Sequence, residues 1–434
     1  MSKKTDKPHL NLVIMGHIDH GKSTTMGHLL IVTGAITDRE MRQMEELSSK
    51  LERASWKYAF VFDRLKEERE RGITIDLAFR EFDTNNYYFT IIDAPGHRDF
   101  VKNAITGASQ ADACILVVSA KRGEFEAGIS AGGQTVEHAY LARTLGIGQL
   151  IVAINKMDDP SVNYSEERYK EVQEEIQRLC DRIPFPRDKV TYLPMSGYVG
   201  SNLDKPEPKM AWWKGLTLVG ALDNLQVPEK PIDKPLRIPV QDVYKITGIG
   251  TVPVGKIETG VLKVGDKIVF MPSGKETECR SIEMHHKQMQ KAEAGDNIGF
   301  NIRALAVKDI KRGDMVGLTK EKPTVAEEMT AQLIIIFHPT AVTAGYTPVI
   351  HAHTAQVACT FMEIVSKFDP KTGQPIQDKP DFLKQDEGGI VKMKPVKPLC
   401  IEKLSDFPQL GRFAIRDSGR TVGVGVVKDL KPRA

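Results

Sequence analysis

Residues 13–24 read VIMGHIDHGKST and place a glycine-rich turn directly after an apolar run. The turn matches the pattern G-x-x-x-x-G-K-[ST], whose glycines let successive backbone N–H groups point at a phosphate. In this pattern Lys22 bridges the β- and γ-phosphates, and the Ser23 hydroxyl is a ligand of Mg²⁺. The chain must therefore fold with a strand before this phosphate loop and a helix after it. The predicted nucleotide contacts of the loop are Gly16, His17, Ile18, Asp19, His20, Gly21, Lys22, Ser23 and Thr24.

Residues 10–225 alternate between short apolar runs and helix-like patterns. The runs LNLVIMG, YYFTIIDAPG, ACILVVSA and QLIVAINKMD each end in a glycine or a polar turn. Such runs are typical of strands that are buried on both faces of a parallel sheet. The segment SEERYKEVQEEIQRLC carries apolar side chains on one predicted helix face, namely Tyr169, Val172, Ile176 and Leu179. The pattern predicts an α/β P-loop domain with a doubly wound, mostly parallel sheet.

From about Leu236 the sequence changes to strands rich in Val, Ile and Thr, with no convincing long helix. Gly-Asp turns recur in this part and indicate an all-β fold, at 265–266, 295–296 and 313–314. Proline-rich boundaries near 226–236 and 320–328 divide the β part into two barrels. The predicted domains are the α/β nucleotide-binding domain at 1–228 and β-barrels at 235–321 and 325–434.

Amino-acid composition says little about the binding partners and the cellular location of the protein. The net charge of +3 arises from 60 basic and 57 acidic residues, which permits a local basic face without demanding a nucleic acid partner. The five cysteines are scattered without a CxxC pair, so neither a disulfide framework nor a zinc site is suggested. With no apolar signal segment and no run of about eighteen apolar residues, we expect a soluble protein of the reducing cytoplasm, without a membrane partner.

A second strand end lies in the segment DAPGH, where Asp93 follows an apolar run. Neighbouring strand ends of a doubly wound sheet face the same edge, so Asp93 should lie near the phosphate loop. There it could hold Mg²⁺ through water, while Gly96 would bring its N–H to the γ-phosphate. The segment is therefore the expected companion of the phosphate loop.

A third strand end, NKMD at 155–158, decides which base is bound. The Asp158 carboxylate can accept hydrogen bonds from the N1–H and the exocyclic amine of guanine, whereas adenine presents an acceptor at that edge. A site that buries a polar group for one substrate can discriminate by as much as about 10⁴ to 10⁵. Asn155 would help to fix the base, the alkyl stem of Lys156 would cover its face, and the next strand end, Ser196 and Gly197, would place an N–H near the guanine O6. The expected ligand is GTP or GDP.

The four motifs, in the order GKS, DAPG, NKMD and SG, resemble those of the GTPase family. RERGITI at 69–75 and the histidine His97 directly after DAPG narrow the resemblance to translational GTPases. With DAPGHRDFVKN, GTVPVG, AGDNIGFN, GYTPVIHAHTA and GRFAIRD, the chain from residue 9 nearly to its end resembles the elongation factor 1-alpha family of archaea and eukaryotes. One departure is Gly197, where many members carry alanine. Because only the N–H is used, we expect this difference to be harmless.

The resemblance implies a GTP-hydrolysing carrier. In the family, Thr74 of RGITI is a Mg²⁺ ligand in the GTP state, and His97 aligns the attacking water as the catalytic residue. Ile18 and Ile73 match a hydrophobic gate around that histidine. The charged segment 38–71, whose composition predicts a solvated helical hairpin, would rearrange on hydrolysis. The GTP form would deliver aminoacyl-tRNA to the ribosomal A site, and a nucleotide exchange factor would reload the monomeric protein.

The β domains carry weaker signals. The resemblance puts Glu283 near the terminal adenosine of tRNA and Asn297 near the aminoacyl group, although Asn297 alone would be a turn residue. Histidines 285, 286, 351 and 353 lack an evident third ligand, so packing or hydrogen bonding is favoured over a metal site. Basic residues of the last domain form either a solvated face or the tRNA-binding face that the family has there, namely Lys392, Lys394, Lys397, Arg412, Arg416 and Arg420.

Three alternatives have similar domain orders. A carrier GTPase for a release or ribosome-rescue protein factor usually bears a long N-terminal extension, and one archaeal chain could serve both cargoes. The initiation factor 2 gamma subunit typically carries cysteine pairs in its nucleotide domain, which this sequence lacks. The GTPase subunit of a sulfate-activating adenylyltransferase is a metabolic enzyme, and the resemblance through the last β domain argues against it.

Overall fold

The computed structural model describes residues 7–50, 58, 78–93, 101–108, 110–130, 133–183, 185–284, 287–370 and 372–433. The chain forms two compact units, Met1–Arg143 with Ile147–Pro228, and Thr144–Gly146 with Glu229–Ala434. Within the described residues, no helix is long and apolar enough to cross a membrane.

The first unit combines a sheet with helices. Its strands in the described part of the chain are β1 (His9–Met15), β2 (Ala78–Asp83), β3 (Tyr88–Asp93), β4 (Ala113–Ser119), β5 (Gln149–Asn155) and β6 (Val190–Pro194). Its α-helices there are α1 (Lys22–Val32), α2 (Asp38–Lys50), α3 (Val101–Ala108), α4 (Glu124–Ile129), α5 (Gln134–Thr144), α6 (Glu166–Arg182) and α7 (Leu218–Asp223). Two 3₁₀ turns lie at Arg187–Lys189 and Pro208–Met210.

The sheet has the order β2-β3-β1-β4-β5-β6. All neighbouring pairs are parallel except β2 and β3. In register, Ile14 lies opposite Asp93, and Ser119 lies opposite Asn155. The carboxyl ends of these strands therefore meet at one edge. The predicted doubly wound, mostly parallel sheet is confirmed.

Burial explains why these segments are strands and helices. Every residue of β4 is buried, as expected for a strand covered on both faces. Helix α6 begins after Ser165, whose side chain accepts a hydrogen bond from the Arg168 N–H. Its predicted apolar face is buried at Tyr169, Val172, Ile176 and Leu179. The first part of the charged segment forms α2, and residues 51–57 and 59–71 of that segment lie outside the described residues.

The second unit is built from antiparallel strands, and its described residues from 229 onward contain no α-helix. The first group of strands comprises β7 (Ile238–Pro239), β8 (Asp242–Ile246), β9 (Gly250–Lys256), β10 (Val261–Lys263), β11 (Lys267–Met271), β12 (Lys275–Met284), β13 (Lys287–Met289), β14 (Lys291–Glu293), β15 (Asn297–Ile302) and β16 (Met315–Leu318). A 3₁₀ turn lies at Val307–Asp309. The sheet order of this group is β7-β16-β11-β12-β15-β9-β8, with β13 beside β12 and a separate β10-β14 pair.

The second group of strands closes on itself. It comprises β17 (Val325–Ile335), β18 (Val342–Thr343), β19 (Val349–Ala352), β20 (Ala355–Phe368), β21 (Pro375–Asp378), β22 (Phe382–Leu383), β23 (Gly388–Pro395), β24 (Leu399–Cys400), β25 (Arg412–Asp417) and β26 (Arg420–Pro432). The order β19-β25-β26-β17-β23-β20 is closed by pairing of β19 with β20, which makes a barrel. The all-β prediction for this half is confirmed.

The predicted Gly-Asp turns are turns in the structure. Gly265, Gly295 and Gly313 have φ angles of 92°, 97° and 96°, a conformation that side chains with a Cβ rarely adopt. The glycine at each position therefore allows the chain to reverse direction between strands.

A buried ion pair joins the two strand groups of the second unit. The Arg237 Nε donates to Glu402 Oε1 at 2.8 Å, and the two side chains are 5% and 7% exposed. Arg237 also donates to the carbonyl oxygens of Leu236 and Glu321, while the Thr324 N–H donates to Glu402. Both charges are thus paired and surrounded by hydrogen bonds, the condition under which a buried pair is tolerated.

We predict that Glu402→Ala destabilises the second unit by about 3–5 kcal/mol, because it leaves the buried Arg237 charge without its partner. The measurement is the unfolding transition of this unit by differential scanning calorimetry. The matched control is Glu327→Gln, which breaks an exposed ion pair with Lys431 and should leave the transition nearly unchanged. Equal shifts for both variants would contradict the prediction.

Candidate nucleotide-binding site

The phosphate loop leaves β1 through Gly16 and enters α1 through Gly21. Gly16 has φ 142°, and a Cβ there would lie 2.3 Å from the Val117 carbonyl oxygen. Gly21 caps α1 with φ 89°, and a Cβ there would lie 2.6 Å from Asn155 Nδ2. Asp19 in the loop also has a positive φ of 63°. Glycines are therefore required at both ends of the loop, by close approach as well as by backbone angle.

Lys22 is a buried cation at the start of α1. Its side chain donates from Nζ to the His17 carbonyl oxygen at 2.8 Å. Burial lowers the pKa of Lys22 to about 8, although Asp93 and Asp19 act in the opposite direction. A bound anion would favour the charged form of Lys22. The N–H groups of the first turn of α1 would also favour a bound anion. The geometry suits a phosphate group.

Ser23 and Asp93 bring two oxygen ligands together. The Ser23 hydroxyl donates to Asp93 Oδ2 at 3.0 Å, and Asp93 is fully buried at the end of β3. Hydroxyl and carboxylate oxygens are the ligands that Mg²⁺ prefers, and this ion usually takes few protein ligands beside phosphates and water. Among the described residues, no group of three or more His, Cys, Asp or Glu could hold a metal ion. The donor set thus fits Mg²⁺ bound together with a phosphate.

Asn155 joins three segments of the site. Its Nδ2 donates to the His20 carbonyl oxygen at 2.8 Å, and to Thr25 Oγ1 at 3.4 Å. Its Oδ1 accepts from the Gly197 N–H at 2.8 Å. One buried amide therefore links the phosphate loop, α1 and the loop after β6.

The loop after β5 presents the residues predicted to contact the base. Lys156 has φ 63°, and its Nζ forms an ion pair with Glu124 Oε2 at 2.7 Å. Asp158 is partly exposed, and no described residue donates a hydrogen bond to its carboxylate. Two backbone hydrogen bonds hold this loop. The Met157 N–H donates to the Met195 carbonyl oxygen, and the Tyr164 N–H donates to the Met157 carbonyl oxygen.

Gly197 cannot be exchanged for alanine in this structure without movement of its neighbours, and the expectation that glycine is harmless at this position stays a prediction. A Cβ at this position would lie 2.2 Å from Thr25 Oγ1 and 2.9 Å from Thr25 Cα. The neighbouring Ser196 is buried and its hydroxyl accepts from the Val199 N–H, which shapes the turn.

The start of α5 supports the phosphate loop, and sequence reasoning missed it. The Gly16 N–H donates to His138 Nδ1 at 2.9 Å, and the Ile18 N–H donates to Gln134 Oε1 at 3.1 Å. Burial is the main reason why the pKa of His138 falls to about 3, so the ring is neutral and Nδ1 can accept. The residues lie more than a hundred positions apart in sequence, and no local pattern in QTVEH relates them to the loop.

The remaining predicted residues have different surroundings. Thr74, Ile73, Gly96, His97, His285 and His286 lie outside the described residues. Glu283 is exposed on β12 opposite Gly299, and Asn297 starts the adjacent β15, so the sheet puts these two residues on neighbouring strands.

The two remaining histidines are buried. His351 is on β19, whereas His353 lies beyond its end with φ 52°. His353 Nε2 bonds with the Leu410 carbonyl oxygen at 3.2 Å, which fits the packing interpretation.

The six basic residues predicted for the last domain differ in exposure and in their partners. Lys392 pairs with Glu363 at 2.9 Å. Arg416 is buried and donates to the Gly419 carbonyl oxygen. Exposed positions among the six are Lys392, Lys394, Lys397 and Arg420.

Known family models match the α/β part and both β parts of the chain. The family model for the elongation factor Tu GTP binding domain matches residues 7–230. Those for elongation factor Tu domain 2 and for the GTP-eEF1A C-terminal domain match residues 250–317 and 328–428.

Relatives called elongation factor 1-alpha match over nearly the whole chain. The one from Metallosphaera sedula is 58% identical over 428 residues, which cover 99% of this chain and 98% of the relative. The one from Hyperthermus butylicus is 59% identical over 427 residues, with coverage of 98% and 97%. The one from Saccharolobus solfataricus is 59% identical over 428 residues, with coverage of 99% and 98%.

Solved structures share the fold. The GTPase-like domain of S. cerevisiae Ski7 bound to GTP superposes with a TM-score of 0.78 at 16% identity and covers 97% of both chains. Translation elongation factor SelB from Methanococcus maripaludis, in complex with a GTP analogue, gives 0.68 at 23% identity and covers 99% of this chain and 80% of that one.

We predict that the nucleotide domain loses stability as the pH falls below about 6.5, partly through His138. The pKa of this side chain is about 3 in the folded chain, so the unfolded state binds the extra proton between pH 6.5 and 3. Each pH unit in that window costs up to about 1.4 kcal/mol. His138→Gln, which can still accept from Gly16, should reduce the loss between pH 7 and 5 by about 2 kcal/mol.

The measurement is urea unfolding followed by tryptophan fluorescence. All three tryptophans of the chain, Trp56, Trp212 and Trp213, belong to the first unit, so the signal reports on this unit alone. An unchanged pH dependence in the variant would show that His138 is protonated in the folded chain.

Proposed function

Since the chain belongs to the elongation factor 1-alpha family of GTP-dependent translation elongation factors, we propose that its GTP form carries aminoacyl-tRNA to the ribosomal A site. The chain is a GTPase, and hydrolysis would release the cargo. The observation that carries the proposal is the convergence of strand ends at one sheet edge, linked through Asn155. The relatives' names favour this reading over a carrier for a release or rescue factor.

The surroundings of the predicted residues at this sheet edge support a specific nucleotide contact for each of them. The phosphate loop and Lys22 would bind the phosphates, because Lys22 is a buried cation at a helix start. Asp158 would accept from the guanine N1–H and amine, and its carboxylate has no competing donor among the described residues. Lys156 would cover one face of the base, while Gly197 would lie near O6.

Mg²⁺ would be held by Ser23 directly and by Asp93 through water, and the oxygens of the two side chains lie 3.0 Å apart. When bound, the ion supplies charge neutralisation at the β- and γ-phosphates. The residues' own contribution is to orient these oxygens on two fixed elements, the first turn of α1 and the end of β3. By family resemblance Thr74 would add a ligand in the GTP state and Gly96 a γ-phosphate contact. His97 would align the attacking water, either as a base or by orientation alone.

The cargo site would lie in the β part. Glu283 and Asn297 stand on paired strands, close enough in register to contact one end of a tRNA. Exposed lysines of the last domain, Lys394 and Lys397, would add phosphate contacts. The protein would act as a cytoplasmic monomer, with the ribosome and a nucleotide exchange factor as partners.

We predict that Asp158→Asn changes base preference. The amide replaces one acceptor oxygen by a donor, which opposes the guanine amine but suits the carbonyl of xanthine. Affinities for GDP and xanthosine diphosphate should therefore move in opposite directions, GDP binding weakening by at least about a hundredfold. Equilibrium titration with fluorescent nucleotides measures both. Unchanged GDP affinity, with no gain for xanthosine diphosphate, would remove Asp158 from the base site.

We predict that the protein protects the ester bond of aminoacyl-tRNA with a non-hydrolysable GTP analogue and protects it little with GDP. Thr74→Ala should lose the protection, because it removes the side chain that we propose as a ligand of Mg²⁺ in the GTP state. The measurement is the rate of deacylation at fixed salt, since tRNA affinity depends on salt. Deacylated tRNA competition is the control. Equal protection in both nucleotide states would favour a protein-factor cargo.

A further inference from the structure

Glu124, the first residue of α4, is a carboxylate beside the predicted base site that has no assigned role. Its Oε2 accepts from the Ser119 hydroxyl at 2.8 Å and from Lys156 Nζ at 2.7 Å. Its Oε1 lies 3.5 Å from Lys121 Nζ. Three donors from β4, the following loop and the loop after β5 thus converge on one side chain.

The surroundings keep this carboxylate charged. Burial opposes ionisation of Glu124, but the hydrogen bonds from Lys156 and Ser119 outweigh it and hold the pKa below its usual range. Glu124 and Lys156 are 27% and 29% exposed. A pair with this much shielding is screened less than a fully exposed one.

The same residue also contacts the phosphate loop through its backbone. The His20 Nε2 lies 3.1 Å from the Glu124 carbonyl oxygen, and its Nδ1 lies 3.3 Å from that of Val117. Burial lowers the pKa of His20 to about 3, so the neutral ring has one N–H, which it can donate to one of these two carbonyl oxygens. Glu124 therefore connects the phosphate loop with the loop that carries Lys156.

We propose that Glu124 is a positioning residue that holds the Lys156 side chain against the face of the guanine base and so slows nucleotide release. The inference rests on the proposed function, which puts guanine beside Lys156. A lysine stem is flexible and loses rotamer entropy when it is ordered on a ligand. By fixing the ammonium group before the nucleotide arrives, Glu124 removes part of that cost.

The test compares the dissociation rates of fluorescent GDP from the full chain and from Glu124→Gln, Lys156→Met and the double variant. Loss of one partly shielded ion pair should speed release by about three- to tenfold in Glu124→Gln. Because Glu124 acts through Lys156, the double variant should release GDP no faster than Lys156→Met alone.

The matched control is Glu166→Gln. Glu166 pairs with Lys170 at the same distance of 2.7 Å, but on the exposed face of α6. This variant should release GDP at the parent rate. A second variant, Ser119→Ala, keeps the Glu124 charge and removes one of its donors, so it should raise the rate in the same direction by a smaller factor.

Release of inosine diphosphate distinguishes the positioning of Lys156 on the face of the base from the hydrogen bonds that Asp158 would accept from the base. It lacks the exocyclic amine, so contact with the face of the base is retained while one predicted hydrogen bond to Asp158 is lost. Glu124→Gln should therefore speed release of both nucleotides by the same factor. A general loss of structure is measured independently by thermal unfolding with tryptophan fluorescence, and it would make the rate effects of Glu124→Gln and Lys156→Met multiply.

Failure of this inference is distinguishable from failure of the proposed function. Fast release from Lys156→Met with the parent rate in Glu124→Gln would overturn the inference alone, as would multiplied effects in the double variant. The parent rate in Lys156→Met would overturn the placement of guanine beside Lys156, and the inference with it.

Discussion

The nucleotide site depends on one buried amide. Asn155 bonds to the phosphate loop at His20, to α1 at Thr25 and to the loop after β6 at Gly197. A buried amide that loses a partner leaves a polar group unsatisfied, at a cost of about 1–3 kcal/mol. Each of the three segments is therefore held in the position that satisfies the other two. The segments predicted to contact the phosphates and the base, which are far apart in sequence, are linked in this way.

The parallel sheet makes that arrangement possible. Because β1, β3, β4, β5 and β6 run in one direction, their carboxyl ends and the loops that follow lie at one edge. Close packing then adds steric requirements. The backbone of Gly16 passes so near Val117 that a Cβ would not fit, and α5 supplies His138 and Gln134 as acceptors for the loop.

The electrostatics of the site suit a bound anion. Lys22 is buried with a pKa lowered mainly by desolvation, whereas His138 and His20 are neutral for the same reason. The neutral histidines support the backbone without adding charge, so the positive charge at the phosphate position comes from Lys22 and the helix start. Asp93 and Ser23 contribute the oxygens that we propose to hold Mg²⁺.

The sequence by itself determined the α/β and all-β halves, the order of the four nucleotide motifs and the glycine turns of the β part. These features follow from local rules, namely apolar periodicity, backbone angles that only glycine adopts easily, and chemistry carried within a few residues. Only the tertiary structure decided that Asn155 links loops, that Gly197 packs against Thr25, and that His138, Gln134 and Glu124 support the site. The reason is physical. Those contacts join residues brought together by strand register and packing, and no local pattern encodes which distant side chain fills a given gap.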